Sequence, residues 1–271
     1  MIDLLFKTAS GLTAQQTKMD VTANNIANVN TNSFKGSRTT FSDLLYQKAH
    51  AAGGAVLYDG QDRADGRTTA QYLDIPTLGR GVRVNAVQKD FTQGVLDNTG
   101  RSLDLAINGN GFFRVTSPDG QDYFTRGGAF HLNEDGRMVY SNGFTLSPRI
   151  DISGDGTDIK IAADGTITAS NKDGKPEEVG RIELYSFSNP HNLIARGDNL
   201  YAEASDSRRT RGGHPGENGL GQIRQGCLEK SNVDILREMN DLIEAQRAYQ
   251  VSARAVKTAE EMWNIANNLY R

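Results

Sequence analysis

The chain has 271 residues, of which 37% are hydrophobic and 7% aromatic, with 29 glycines and a formal net charge of −3. That balance suits an elongated, loop-rich β protein better than a compact enzyme, and it gives no electrostatic case for binding nucleic acid or an anionic membrane. One cysteine, Cys227, excludes an internal disulfide framework, and no run approaches the roughly twenty apolar residues that a membrane span needs.

At the N-terminus, Ile2, Leu4, Leu5 and Phe6 give way at once to polar residues. There is neither a basic region nor a long apolar region, so no cleaved secretory signal is expected, and a cytoplasmic location is the default. Leu5, Leu12, Met19 and Ile26 then recur every seven residues, with Ala9, Gln16 and Ala23 in the second seam position. This narrow stripe predicts a helix with coiled-coil spacing. The run NNIANVNTNSFK from Asn24 to Lys35 should stop it near Val29, because asparagine favours caps, turns and left-handed backbone. Asn24, Asn25, Asn28, Asn32 and Phe34 form either a simple turn or an amide-rich corner that bonds to neighbouring subunits.

After the short apolar patch FSDLLY at Phe41–Tyr46, residues 47–73 carry no convincing period and read as a long loop or interaction arm. Val82, Val84 and Ala86 resume alternation, and from Leu103 the pattern is plainly β. Asp119-Gly120, Asp135-Gly136, Asn142-Gly143, Asp155-Gly156, Asp164-Gly165 and Asp173-Gly174 recur at hairpin spacing. The Arg208, Arg209, Arg211 cluster sits among Ser, Thr and Gly as a solvated loop, and Cys227 is expected to be a core or seam residue.

The last segment repeats the heptad. Ile235, Leu242, Tyr249, Val256, Trp263 and Tyr270 lie seven apart, with Met239, Gln246 and Ala253 four after the first three. Ser231 with Asp234 three later resembles a capping box. Two such segments at opposite ends imply that the termini meet. The expected fold is therefore α+β: long terminal helices paired as an antiparallel coiled coil, with a central antiparallel β domain inserted between them. An ordinary pair of helices closing one domain is the alternative. The expected divisions are 1–35, an arm at 36–95, the β domain at 96–205, a return linker at 206–230 and the final helix at 231–271.

No motif for catalysis or metal binding survives a test of spacing. Asp151, Ser153, Asp155 and Gly156 begin like a calcium loop, but Ala162 stands where a bidentate Glu is needed. Gly109-Asn110-Gly111 has Arg114 where a dinucleotide fingerprint needs Gly, and Gly174-Lys175 has Ala169 and Pro176 at the decisive phosphate-loop positions. His50, His131, His191 and His214 are scattered. No enzyme activity, cofactor, metal or small-molecule substrate is expected. Arg196-Gly197-Asp198 reads as an adhesion tripeptide or, more simply, a tight turn. A wall-cleaving hydrolase would need two converging carboxylates, for which Glu134 and Asp135 are only arbitrary nominees.

Three separated stretches carry a specific resemblance. GLTAQQTKMDVTANNIANVNTNSFKGSRTTFSDLLYQ, then GRSLDLAINGNGFFRV with YFTRGGAFHLNEDGRMVYSNGFTL, then SNVDILREMNDLIEAQRAYQVSARAVKTAEEMWNIANNLYR resemble the flagellar rod and hook protein family, in the family's order. DLLYQ, the polar insert, TLGRGVRV and the IANNLYR ending are similar to the distal-rod branch; a proximal-rod or hook sibling is the runner-up. Cys227 and Trp263 depart from the family's usual aromatic and small aliphatic.

The resemblance implies a subunit that polymerises helically into a hollow drive shaft, with paired terminal helices lining the channel and the β domain outward. It implies torque transmission through the periplasm, and partnership with proximal-rod and hook proteins and with peptidoglycan and outer-membrane ring proteins. Export by the flagellar type III apparatus is also implied, which replaces the cytoplasmic default. Leu5, Leu12, Met19, Ile26, Ile235, Met239, Leu242, Tyr249, Val256, Trp263 and Tyr270 are then the expected assembly interface.

Overall fold

The structure, a computed structural model, describes residues 2–45, 47–48, 77–152, 159–170, 176–204 and 211–269. Most of the loop at 47–73, the turns at Asp155-Gly156 and Asp173-Gly174, Ser153 of the calcium-like loop, Lys175, His50, Arg208, Arg209 and Tyr270 lie outside the described residues. Helix α1 spans Ile2–Ala27 and helix α2 spans Ile235–Leu269, with strands between them, so the class is α+β.

Polar residues inside α1 bond back into it. The hydroxyls of Thr13 and Thr17 donate to the carbonyls four residues earlier, at 3.1 and 3.0 Å. The helix ends where Asn28 Nδ2 donates to the Asn24 carbonyl at 2.9 Å. At α2 the expected capping box is corrected. Asp234 is itself the cap, its carboxylate accepting from the amides of Leu236 at 2.9 Å and Arg237 at 3.4 Å, while Ser231 bonds only the Val233 amide at 3.3 Å.

The chain divides into two compact units, the first from Met1–Asp20, Thr39–Val87 and Leu242–Arg271, the second from Val21–Arg38 and Gln88–Asp241. The last turns of α1 and the first turns of α2 therefore belong with the β-rich unit. In the first unit, Gln47–Lys48 pairs with Thr77–Leu78, and Leu44 donates to the Gly81 carbonyl at 2.9 Å. Gly81 has φ +117°, and a Cβ there would run into the Ser10 hydroxyl of α1.

The second unit is built on a sheet in the order 194–197, 200–202, 122–125, 112–116, 144–147, 138–140 and 131–132, with 184–186 pairing both 112–116 and 211–213. Alternation sends neighbours to opposite faces. Phe113 and Val115 enter the main core with Leu105, Ile107, Met138, Leu146, Ile167 and Leu184. Phe112 joins Phe124, Tyr185, Leu193 and Tyr201 in a second cluster, which Phe91 covers edge-on at 5.5 Å from Phe112 and 5.2 Å from Tyr201. Turns at Gly120, Gly136 and Gly165 carry positive φ, as the Asp-Gly signals require.

The expected return linker instead contributes strands. Residues 222–225 pair with 105–108, and 227–229 with 96–98. Cys227 is half-buried on the second of these.

Candidate functional site

The amide-rich run ends in a corner stabilised from within the chain. Ser33 sits at φ +60°, a left-handed conformation that few non-glycine residues adopt. Its amide donates to the Glu229 carbonyl at 2.7 Å and its hydroxyl to the Arg126 carbonyl at 3.1 Å. The turn delivers Lys35 into the interior, where its fully buried ammonium donates to Glu229 Oε1 at 2.6 Å and to the Thr92 carbonyl at 2.7 Å.

Arg126 Nε donates to the other carboxylate oxygen at 2.8 Å, and its remaining fork reaches the carbonyls of Gly111 at 3.2 Å and Gly109 at 2.9 Å. The Gly94 amide completes the Glu229 shell at 2.8 Å. Burial alone would push the Glu229 carboxyl up. The Arg126 and Lys35 charges and their hydrogen bonds outweigh it and hold the group below the ordinary carboxylate value. Burial lowers Lys35 from its ordinary value, against the opposing pull of Glu229. Asp90, near Lys35, is raised by burial but brought down overall by its Thr92 hydrogen bonds and the Arg38 charge.

Within the chain, the corner amides bond as follows. Asn25 is buried; its Nδ2 donates to the Ser37 carbonyl at 2.9 Å and to Glu238 at 3.2 Å, and its Oδ1 accepts from the Ser37 amide at 2.9 Å. Asn28 bonds its own helix, as above, and accepts from the Thr31 hydroxyl at 3.2 Å. The Asn32 carbonyl accepts from Asn199 at 2.8 Å, and Phe34 lies under the Lys89 ammonium at 4.5 Å. Asn24 is exposed, as is the side chain of Asn32.

On the helices, burial within one chain is uneven along the expected seam. Leu5, Leu12, Met19, Ile26, Leu242 and Val256 are half-buried, but Ala9, Gln16, Ala23 and Gln246 are exposed. Ile235 and Met239 are exposed, together with Tyr249 and Trp263. The enclosed residues of α2 lie three, not four, after the large ones: Ala245 and Ala259 are buried, and Glu238 and Ser252 half-buried at the same seven-residue spacing. On α1 the buried residues are Ala14, Thr22 and Asn25. Close approach needs small side chains, so the enclosed seam is made of residues that contribute little apolar signal.

Nine large apolar side chains of α2, including Leu236, Ile243, Val251, Met262 and Ile265, are 37–71% exposed. Several lie on the side of the helix opposite its alanine seam.

Other nominees do not converge. Glu134 and Asp135 are exposed on the hairpin joining 131–132 to 138–140, where Asp135 pairs with Arg137 at 3.3 Å. Arg196-Gly197-Asp198 enters a hairpin turn, with Asp198 and Asn199 at φ +48° and +56°. Among the described residues no cluster of His, Cys, Asp or Glu is placed to hold a metal, and no helix is long and apolar enough to cross a membrane.

Lys35, Arg126 and Glu229 escaped the sequence reading. Each looks like one more solvated charge, and Glu229 stands 194 and 103 residues from its partners. Only a single adjoining apolar residue, Phe34 before Lys35 and Leu228 before Glu229, carried any signal.

Comparison with known proteins covers both ends and the centre. Residues 8–35 match the family model described as Flagella basal body rod protein, residues 106–169 that of the Flagellar hook protein FlgE/F/G D1 domain, and residues 224–269 that of the Flagellar basal body rod FlgEFG protein C-terminal. The Flagellar basal-body rod protein FlgG of Borreliella burgdorferi is 38% identical over 274 residues, covering 100% of both chains. Its counterpart in Bacillus subtilis is 34% identical over 278 residues, again with full coverage of both. The rod protein FlgF of Caulobacter vibrioides is 35% identical over 259 residues, covering 93% of this chain and 92% of its own.

Proposed function

The chain belongs to the flagellar basal-body rod protein family and is a structural subunit of the distal rod, and from that premise we propose that the exposed apolar surface of α2 is the face on which copies of the chain meet. Rod proteins polymerise with each other and with related rod and hook proteins. The observation that carries the reading is the set of nine exposed large side chains on α2. Completing the burial of each contributes about 1 kcal/mol, so on the order of 10 kcal/mol per subunit is available only from neighbours. A contact that repeats without closing produces an open helical polymer.

Antiparallel coiled-coil pairing of the two helices is part of the proposal. It is supported by two links in reverse order along the chain, Lys18 to Glu244 at 3.4 Å and Asn25 to Glu238 at 3.2 Å. The large residues Leu5, Leu12, Met19 and Ile26 on α1, and Ile235, Met239, Leu242, Tyr249, Val256, Trp263 and Tyr270 at the other end, are assigned to contacts between copies. In this reading Asn25 and Asn28 hold the corner itself, whereas Asn24 and Asn32 offer side chains to neighbours.

The rod is taken to cross the periplasm as a hollow drive shaft, with ring proteins of the peptidoglycan and outer membrane around it and the flagellar type III apparatus delivering its subunits. Leu242→Asp or Val256→Asp should stop rod completion in cells, seen by electron microscopy of basal bodies, while the purified variant keeps the near-ultraviolet dichroism of its β domain. Normal rods in both variants would overturn the assignment.

A further inference from the structure

The corner from Thr31 to Gly36 contains no regular helix or strand, yet its last four residues, Ser33 to Gly36, are all buried. What holds it comes from far along the sequence. Glu229 supplies its carbonyl to Ser33 and its carboxylate to Lys35. The same carboxylate takes the Gly94 amide of the linker and the Arg126 guanidinium of the β domain.

Three residues on, Asn232 repeats the pattern with a neutral side chain. Its Oδ1 accepts from the Gly36 amide at 2.9 Å and its Nδ2 donates to the Asp90 carbonyl at 2.8 Å. Asp90 returns its amide to the Gly36 carbonyl at 2.8 Å, and Lys230 bonds the Val95 carbonyl at 2.8 Å. Four segments therefore converge on one buried carboxylate: the end of α1's corner, the linker at 90–95, the loop carrying Arg126, and the strand that leads into α2.

We infer that the Lys35–Glu229–Arg126 triad is a clamp that makes the roots of both terminal helices part of the folded β-rich unit in the free subunit, so that assembly has only the remainder of each helix to dock. The roles of the three residues differ. Lys35 secures the N-terminal corner, Arg126 secures the β domain, and Glu229 joins them to the root of α2. A clamp of this form fails in a directional way, whereas a buried ion cluster that only adds general stability fails uniformly.

The test is amide hydrogen exchange, followed by mass spectrometry, on the purified full-length chain. In the unaltered protein, peptides covering 31–36 and 90–95 should be protected to within about tenfold of those covering 105–116. Lys35→Met should speed exchange at 31–36 at least tenfold more than at 229–234 or 105–116. Glu229→Gln should release 31–36, 90–95 and 229–234 together, again ahead of 105–116. Uniform loss of protection in Lys35→Met, or an unaltered corner, would overturn the clamp. Lys35→Met leaves the Glu229–Arg126 pair intact, so the test stands even where Glu229→Gln fails to fold. Because it uses the isolated subunit, its result is independent of whether α2 carries the contacts between copies.

Discussion

Phe113 and Tyr249 are both large aromatic residues in regular structure, yet Phe113 is fully enclosed while Tyr249 is 37% exposed. Phe113 lies in a strand paired on both edges and meets Phe130 edge-on at 5.4 Å. Tyr249 lies on a helix whose enclosed seam is built from alanine, so its own ring is left outside. The β-rich unit encloses most of its large apolar side chains within one chain. Helix α2 carries sidedness that one chain does not use up. If copies meet on that helix as proposed, stability and assembly rest on different residues, and substitutions can separate them.

The largest expected effect is at the enclosed end of that contrast. Phe113→Ala should cost about 3–5 kcal/mol, measured by urea unfolding followed through the near-ultraviolet signal of the β domain. Tyr249→Ala should cost no more than about 1–2 kcal/mol in the same assay, because over a third of its surface is already in water. Equal losses would erase the distinction between the two regions.

Next comes the buried carboxylate. Glu229→Gln leaves Lys35 and Arg126 without their shared counter-charge and should cost roughly 3 kcal/mol or more. Its pH dependence follows from the depressed folded value. The stability supplied by ionised Glu229 is complete above its ordinary value of 4.5 and is lost as pH falls through the lower folded value. The unaltered protein should therefore lose stability on that acid limb, and Glu229→Gln should lose that part of the slope.

Tyrosines supply an alkaline limb of opposite origin. Burial first, then the Glu183 hydrogen bond, push Tyr185 up to about 12, and burial raises the deeply enclosed Tyr201 as well. A raised value contributes stability that is present below the ordinary 10.0 and lost as pH rises through the folded value. Unfolding midpoints should fall between pH 10 and 12, and Tyr185→Phe should flatten part of that fall.

The same contrast explains what could be read from the amino-acid order. Asp119-Gly120, Asp135-Gly136 and Asp164-Gly165 are local signals, since each turn requires its glycine at positive φ whatever lies elsewhere. The extents of α1 and α2 were legible for the same reason, to within a few residues. The strands at 211–213, 222–225 and 227–229 were not, because a three- or four-residue strand is defined by its partner at 184–186, 105–108 or 96–98. Glu229 is the extreme case, a charge whose place in the core depends on residues more than a hundred positions away. The enclosure of Ala245 and Ala259 was not legible, because apolar periodicity is carried by large residues and not by the small ones that allow close packing.

Two smaller effects sharpen the comparison at the point where α2 begins. Asp234→Ala removes the carboxylate that accepts from the Leu236 amide at 2.9 Å and should cost about 1 kcal/mol. Ile243 is 45% exposed, so Ile243→Asp should shift the unfolding free energy of the isolated subunit by no more than about 0.5 kcal/mol, the range of ordinary surface changes. In a rod, however, that aspartate would be enclosed between copies, where an unpaired charge is far more costly than in water. The expected result is a subunit that unfolds at nearly the same urea concentration as the original and leaves cells without completed rods. A marked loss of stability in the monomer would place Ile243 in the chain's own core, and intact rods would place it on a surface that no neighbour covers.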